Sequence, residues 1–176
     1  MTMSKPLVAV IMGSDSDLPV MNDTVEILNK FDIPFEVNIF SAHRSPDGTV
    51  NFAKNADKRG IRVIIAAAGG AAHLAGVIAS HFPLPVIGVP IKSSALNGVD
   101  SLYSIVQMPP GVPVATVGIN SAKNAALLAI QILAINDKLL TKKIVDYKKY
   151  LAESVAKKND QLTKVGVKNY LAAMGK

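Results

Sequence analysis

The sequence predicts an α/β protein: a parallel β-sheet in a three-layer sandwich, followed by a long C-terminal helix. Three observations carry this. Short unbroken apolar runs such as Leu7–Met12 and Val63–Ala67 have the pattern of strands buried on both faces, which is the pattern of parallel sheet. These runs alternate with helical segments, as right-handed βα crossovers require. Residues 137–176 abandon the alternation for a lysine-rich stretch with apolar residues near every seventh position.

The elements follow in order. Leu7–Met12 is the first strand and ends in Gly13-Ser14-Asp15-Ser16-Asp17. Ser16 or Asp17 is expected to cap the next helix, Pro19 suits its first turn, and Val20, Val25, Ile27 and Leu28 give it an apolar face. Phe35–Phe40 forms the second strand. Pro46 opens the second helix, with Asp47 in its first turn and Gly60 near its end. Arg62–Ala67 is the third strand, followed by the small-residue loop Ala68–Leu74 and a short helix to about His81. Pro85–Val89 is the fourth, and a loop with a short helix spans Ser93–Gln107. Pro113–Val117 is the fifth strand and leads to the helix Ala122–Ala134.

Residues 1–136 and 137–176 read as an α/β core and a helical extension of one domain. In the extension Leu140, Ile144, Tyr147, Leu151, Val155, Leu162 and Val165 fall close to a heptad repeat. Asp137–Lys164 as one helix would be about 42 Å long at 1.5 Å per residue. A helix of that length is expected to cover a neighbouring subunit; the alternative is a bent helix folded back over its own sheet.

Charge and composition narrow the function classes. The core holds nine basic and nine acidic residues, while the extension holds ten lysines and four acids, so the whole formal charge of +6 resides in the extension. Lysine pairs in a helical pattern read as a solvated face, and 5% aromatics offers little base-stacking surface, so no nucleic-acid partner is expected. No apolar run reaches the roughly 18 residues of a membrane span, and Met1–Pro6 lacks a signal peptide's pattern. With no cysteine, thiolate catalysis and thiolate metal ligands are excluded, and a cytoplasmic protein is expected. The three histidines show no metal-ligand spacing, so no metal is expected.

The candidate chemistry sits in loops that follow strands, where open α/β sheets bind ligands. Ser14, Ser16 and Asp17 could supply hydroxyls for a phosphate and a carboxylate for ribose hydroxyls, or merely cap and turn. Ser41-Ala42-His43-Arg44-Ser45-Pro46 sets an imidazole able to give and recover a proton beside a guanidinium that grips anions through two hydrogen bonds. The backbone of Ala68–Leu74 can approach a ligand closely, or can serve helix–sheet packing. His73 is a ligand contact or a cap, and His81 reads as structural.

Together with Ala95–Pro109 (ALNGVDSLYSIVQMP), these segments resemble the class I N5-carboxyaminoimidazole ribonucleotide mutases of purine biosynthesis, from about Val8 to Ala134. The resemblance implies a flavodoxin-like sheet, a homo-octamer with active sites near subunit contacts, and carboxyl transfer without metal, ATP or organic cofactor. It implies that His43 is the general acid/base and that Ser14, Asp17 and Arg44 bind the ribonucleotide. Ser41 and the segment Gly70, Ala71 to His73 would surround the migrating carboxyl group. Leu18, Ala75 and Lys92 depart from the family's usual residues, and none of them touches the His-Arg pair. Two rivals stay open: the class II carboxylases, which add free CO2, and a non-catalytic nucleotide-binding module.

Overall fold

In a computed structural model, residues 5–175 are described; most of the amino-terminal stretch read above for a signal peptide lies outside them. The chain divides into two compact units, residues 1–133 and 134–176.

The first unit is built on a five-stranded, wholly parallel sheet of order β2-β1-β3-β4-β5. Its strands are β1 (Val8–Met12), β2 (Phe35–Ile39), β3 (Val63–Gly69), β4 (Val86–Ile91) and β5 (Ala115–Thr116). Every residue of β1 and β4 is buried, which is why both read as unbroken apolar runs. Helices α1 (Leu18–Lys30), α2 (Pro46–Arg59), α3 (Leu74–Ala79) and α4 (Val99–Val106) form the four crossovers, and α5 (Ala122–Ala134) follows β5.

Alternation along the strands sends Ala9, Ile11, Ile64 and Ala66 to one face, where they pack with Phe52, Ala53 and Ala56 of α2, Leu74 and Ile78 of α3 and Ile105 of α4. On burial of the Thr24 side chain in α1, its hydroxyl donates to Ala122 O at the start of α5, 2.9 Å away. Gly60 ends α2 at φ 105°, a backbone state that glycine adopts without a Cβ penalty.

Three strand boundaries differ from the sequence expectation by two residues. β3 and β4 each run two residues further, to Gly69 and Ile91, carrying more of their loops' residues to the strand ends. β5 shrinks to two residues, Ala115 and Thr116 alone registering against β4, and Pro113 brings no N–H to the ladder.

The second unit is helical. In α6 (Lys138–Ala173), the Asp137 side chain caps the first turn by accepting from Leu139 N–H and Leu140 N–H, both at 2.9 Å. Gly166, at φ 76° and ψ 159°, breaks the helix, so the continuous part ends at Val165, one residue beyond the expected Lys164, and a second helical piece follows. Leu151, Val155, Leu162 and Val165 are exposed along the continuous part.

Candidate active site

Four loops leave the carboxyl ends of β1, β2, β3 and β4 and line one cleft of about 570 Å3. The cleft lies where the strand order reverses between β1 and β3, the place at which doubly wound sheets accept ligands.

The β1 loop is held by its own polar groups. Gly13 N–H donates to Ala67 O (3.0 Å), continuing the contact with β3 past the end of the strand. Ser14 is extended, and its Oγ accepts from Ser16 N–H (3.3 Å) while the Asp17 carboxylate accepts from Ser14 N–H (3.3 Å). This reciprocal capping box closes a short 3-10 turn, Asp15–Asp17. The expectation that Ser16 or Asp17 caps α1 is therefore corrected: Asp17 stands at the cap position, but its side chain makes no cap bond there and turns back to Ser14. Asp17 is only 6% exposed. Burial pushes its carboxyl above the ordinary 3.8, against hydrogen bonds from Ser14 and Ser16, and Asp15 adds repulsion.

The β2 loop folds on itself. Ser45 N–H donates to Ser41 O (2.8 Å), Ser41 N–H donates to Ser45 Oγ (3.1 Å), and Arg44 N–H donates to Ser41 Oγ (3.1 Å). The turn sets His43 and Arg44 on the cleft wall, where Arg44 Nη2 reaches Gly13 O (3.3 Å) and ties the first two loops together.

The β3 loop turns at Gly70, whose φ of 65° suits glycine. Ala72 N–H donates to Gly70 O and His73 N–H to Ala71 O, both at 2.8 Å. His73 begins α3 without capping it, so the capping role left open for it is not taken. Its Nδ1 instead lies 2.9 Å from His43 Nε2, the rings nearly perpendicular at 83°. One facing nitrogen must donate and the other accept, since protons on both would repel. The contact therefore orients both imidazoles.

The β4 loop adds Lys92, Ser93 and Ser94. Lys92 N–H donates to Asn120 Oδ1 (2.8 Å). Ser93 Oγ donates to the Asp100 carboxylate (2.6 Å), and this bond holds the Asp100 carboxyl below 3.8. Arg44 and Lys92 thus oppose the single acid Asp17 on the wall, which favours an anionic ligand.

All eight residues singled out from the sequence, Ser14, Asp17, Ser41, His43, Arg44, Gly70, Ala71 and His73, line this one cleft. The β4 contribution was missed. In the sequence Lys92 stands out only as a departure from a resemblance, and the expected fourth strand ends at Val89, three residues before it. The available signal was the apolar Ile91 immediately before Lys92, which prolongs the strand. Among the described residues, no three His, Asp or Glu side chains gather as a metal site would require.

The chain is 58% identical over 166 residues to the N5-carboxyaminoimidazole ribonucleotide mutase of Thermotoga maritima, covering 94% of this chain and 97% of the relative. It is 57% identical over 172 residues to the protein of that name from Pyrococcus horikoshii, covering 98% and 97%. Its fold superposes on a crystal structure of Treponema denticola PurE with a TM-score of 0.82 at 30% identity, covering 89% of this chain and 98% of that one. The profile of the AIR carboxylase family matches residues 7–154, and the chain belongs to that family.

Proposed function

We propose that this protein is an N5-carboxyaminoimidazole ribonucleotide mutase, an isomerase of purine biosynthesis that moves a carboxyl group from the exocyclic nitrogen of the aminoimidazole to a ring carbon. The observation that carries the reading is identity above half with proteins of that name over 97% of their length.

In this reading the site divides its work by loop. Arg44 and the hydroxyl of Ser14 take the phosphate, with Lys92 adding positive potential. The buried Asp17 carboxylate accepts from ribose hydroxyls. His43, oriented by His73, protonates the exocyclic nitrogen; the N–C bond breaks and its electron pair stays on that nitrogen, releasing CO2. The ring carbon then attacks the CO2 held beside Ser41 and the backbone of Gly70 and Ala71. The neutral imidazole removes the proton from that carbon, which restores aromaticity and returns the acid. Holding CO2 in place between the two steps is a positioning effect, to which the small residues of the loop contribute a close backbone approach.

A homo-octamer in the cytoplasm completes the reading. The exposed apolar side chains of α6 support association, and light scattering measures its size. Turnover decides the chemistry. Rapid ATP-independent conversion of the N-carboxylated ribonucleotide is expected, whereas turnover only of the decarboxylated compound with CO2 would make the protein a carboxylase. His43→Asn should lower kcat by at least about 100-fold, the low end for a lost general acid/base, while substrate still binds. Near-normal activity in that variant refutes the role of His43.

A further inference from the structure

The block Ala95–Pro109 is the longest stretch behind the family resemblance, yet none of its residues has a part in the chemistry above. Its position in the fold suggests one. The last register pair between β3 and β4 is Gly69 with Ile91. One step further, Ser101 of α4 joins the two strand ends: its Oγ accepts from Gly70 N–H at 2.9 Å and donates to Ile91 O at 2.7 Å. The side chain is fully buried, and both its donor and its acceptor are used. Ser104, one turn on, directs its hydroxyl to Gly70 O at 3.3 Å, sharing that hydrogen with Asp100 O at 2.8 Å.

The Gly70 peptide groups are thus held from both sides by one helix. That matters because Gly70 sits at φ 65° and no neighbouring atom lies within 4 Å of where a Cβ would stand, so these hydrogen bonds, and not side-chain packing on that side, hold the turn. Three residues later the same turn delivers His73 to His43. The strand ends, the glycine and the imidazole pair form one connected chain of hydrogen bonds.

We propose that Ser101, supported by Ser104, is a positioning residue that holds the Gly70–His73 turn and thereby sets the His43–His73 contact. The proposal rests on the mutase reading for its effect on rate, but its geometric part can be measured without turnover. Ser101→Ala removes both bonds and leaves Gly70 N–H and Ile91 O without this partner. The loops carrying Ser14, Asp17 and Arg44 have no bond to Ser101, so ribonucleotide affinity should persist while the proton step suffers.

The test has two arms on the full chain. In proton–nitrogen NMR of the wild type, the hydrogen bridging the two imidazoles should give a protected downfield signal with coupling across the N–H···N bond. Ser101→Ala should lose it. In steady-state kinetics Ser101→Ala should lower kcat by about 10- to 100-fold, the scale of a misplacement near 1 Å, with KM changed by less than about threefold. Ser104→Ala should act in the same direction and more weakly, and decides the matter if Ser101→Ala does not fold. Gly70→Ala, which strains the same turn, should add little to the Ser101→Ala loss of rate in the double variant.

A bridging signal retained in folded Ser101→Ala overturns the proposal. So does a normal kcat, or a rise in KM with kcat intact. If the wild type turns over neither substrate, the mutase reading fails, and the NMR arm alone judges whether Ser101 sets the imidazole contact.

Discussion

Replacing Asp17 by asparagine should separate stability from binding. The Asp17 carboxylate is 6% exposed and accepts from Ser14 N–H at 3.3 Å. An asparagine Oδ1 can accept the same bond, so the capping box survives in part. Burial raises the folded-state pKa of Asp17, which means that the ionised form at neutral pH opposes folding. The variant loses at most one modest hydrogen bond, about 1 kcal/mol, and is relieved of the buried charge. Stability at neutral pH should therefore be unchanged or higher.

Linkage fixes the direction with pH. An acid whose folded-state pKa is raised contributes stability that is full below the unfolded value of 3.8 and is lost as pH rises through the folded value. Wild type should accordingly gain on Asp17→Asn upon acidification from neutrality, as read by urea unfolding at several pH values. Binding goes the other way. Hydrogen bonds to a charged acceptor contribute about 1.5–3 kcal/mol, so KM should rise about 10- to 150-fold, with kcat largely kept because His43 lies on another loop. Wild-type KM should also rise as acid neutralises Asp17, and the variant should lack that limb. A variant destabilised by several kcal/mol, or one with unchanged KM, refutes the assignment of Asp17 as a strained binding group.

Two further outcomes follow from packing and charge. A methyl group at Gly88 would overlap Ile105 Cγ2 of α4 and crowd Val114, so Gly88→Ala should cost about 1–3 kcal/mol in urea unfolding, as overpacked cores do; a neutral result would mean that α4 can shift. The Asp100 carboxyl is held below 3.8 chiefly by Ser93, so its contribution is present above 3.8 and is lost as pH falls through the lower folded value. Amide exchange at Leu96 and Gly98, whose N–H groups donate to Ser93 Oγ, should therefore accelerate on acidification below 3.8 in wild type beyond the general trend, and less so in Asp100→Asn.

The sequence by itself determined the elements and the side of the sheet on which chemistry occurs. Leu7–Met12 and Val63–Ala67 are apolar throughout because both faces of those strands are buried, and parallel strands of that kind deliver their loops to one edge. Ser14 and Asp17 could be found for that reason, since they follow Leu7–Met12; His43 and Arg44 follow the half-exposed edge strand β2 and stood out by the chemistry of an imidazole beside a guanidinium at a strand end. The long helix was equally legible from its heptad spacing, up to the break at Gly166.

Tertiary structure alone decided which loops meet. Periodicity records whether a residue is buried, not which strand lies beside its own. The order β2-β1-β3-β4-β5 therefore had to form before His43 and His73, thirty residues apart, could stand 2.9 Å from each other. The same holds for Ser101: a serine within a helix carries no mark of the two strand ends it joins, because its partners, Gly70 N–H and Ile91 O, are backbone groups that every residue offers.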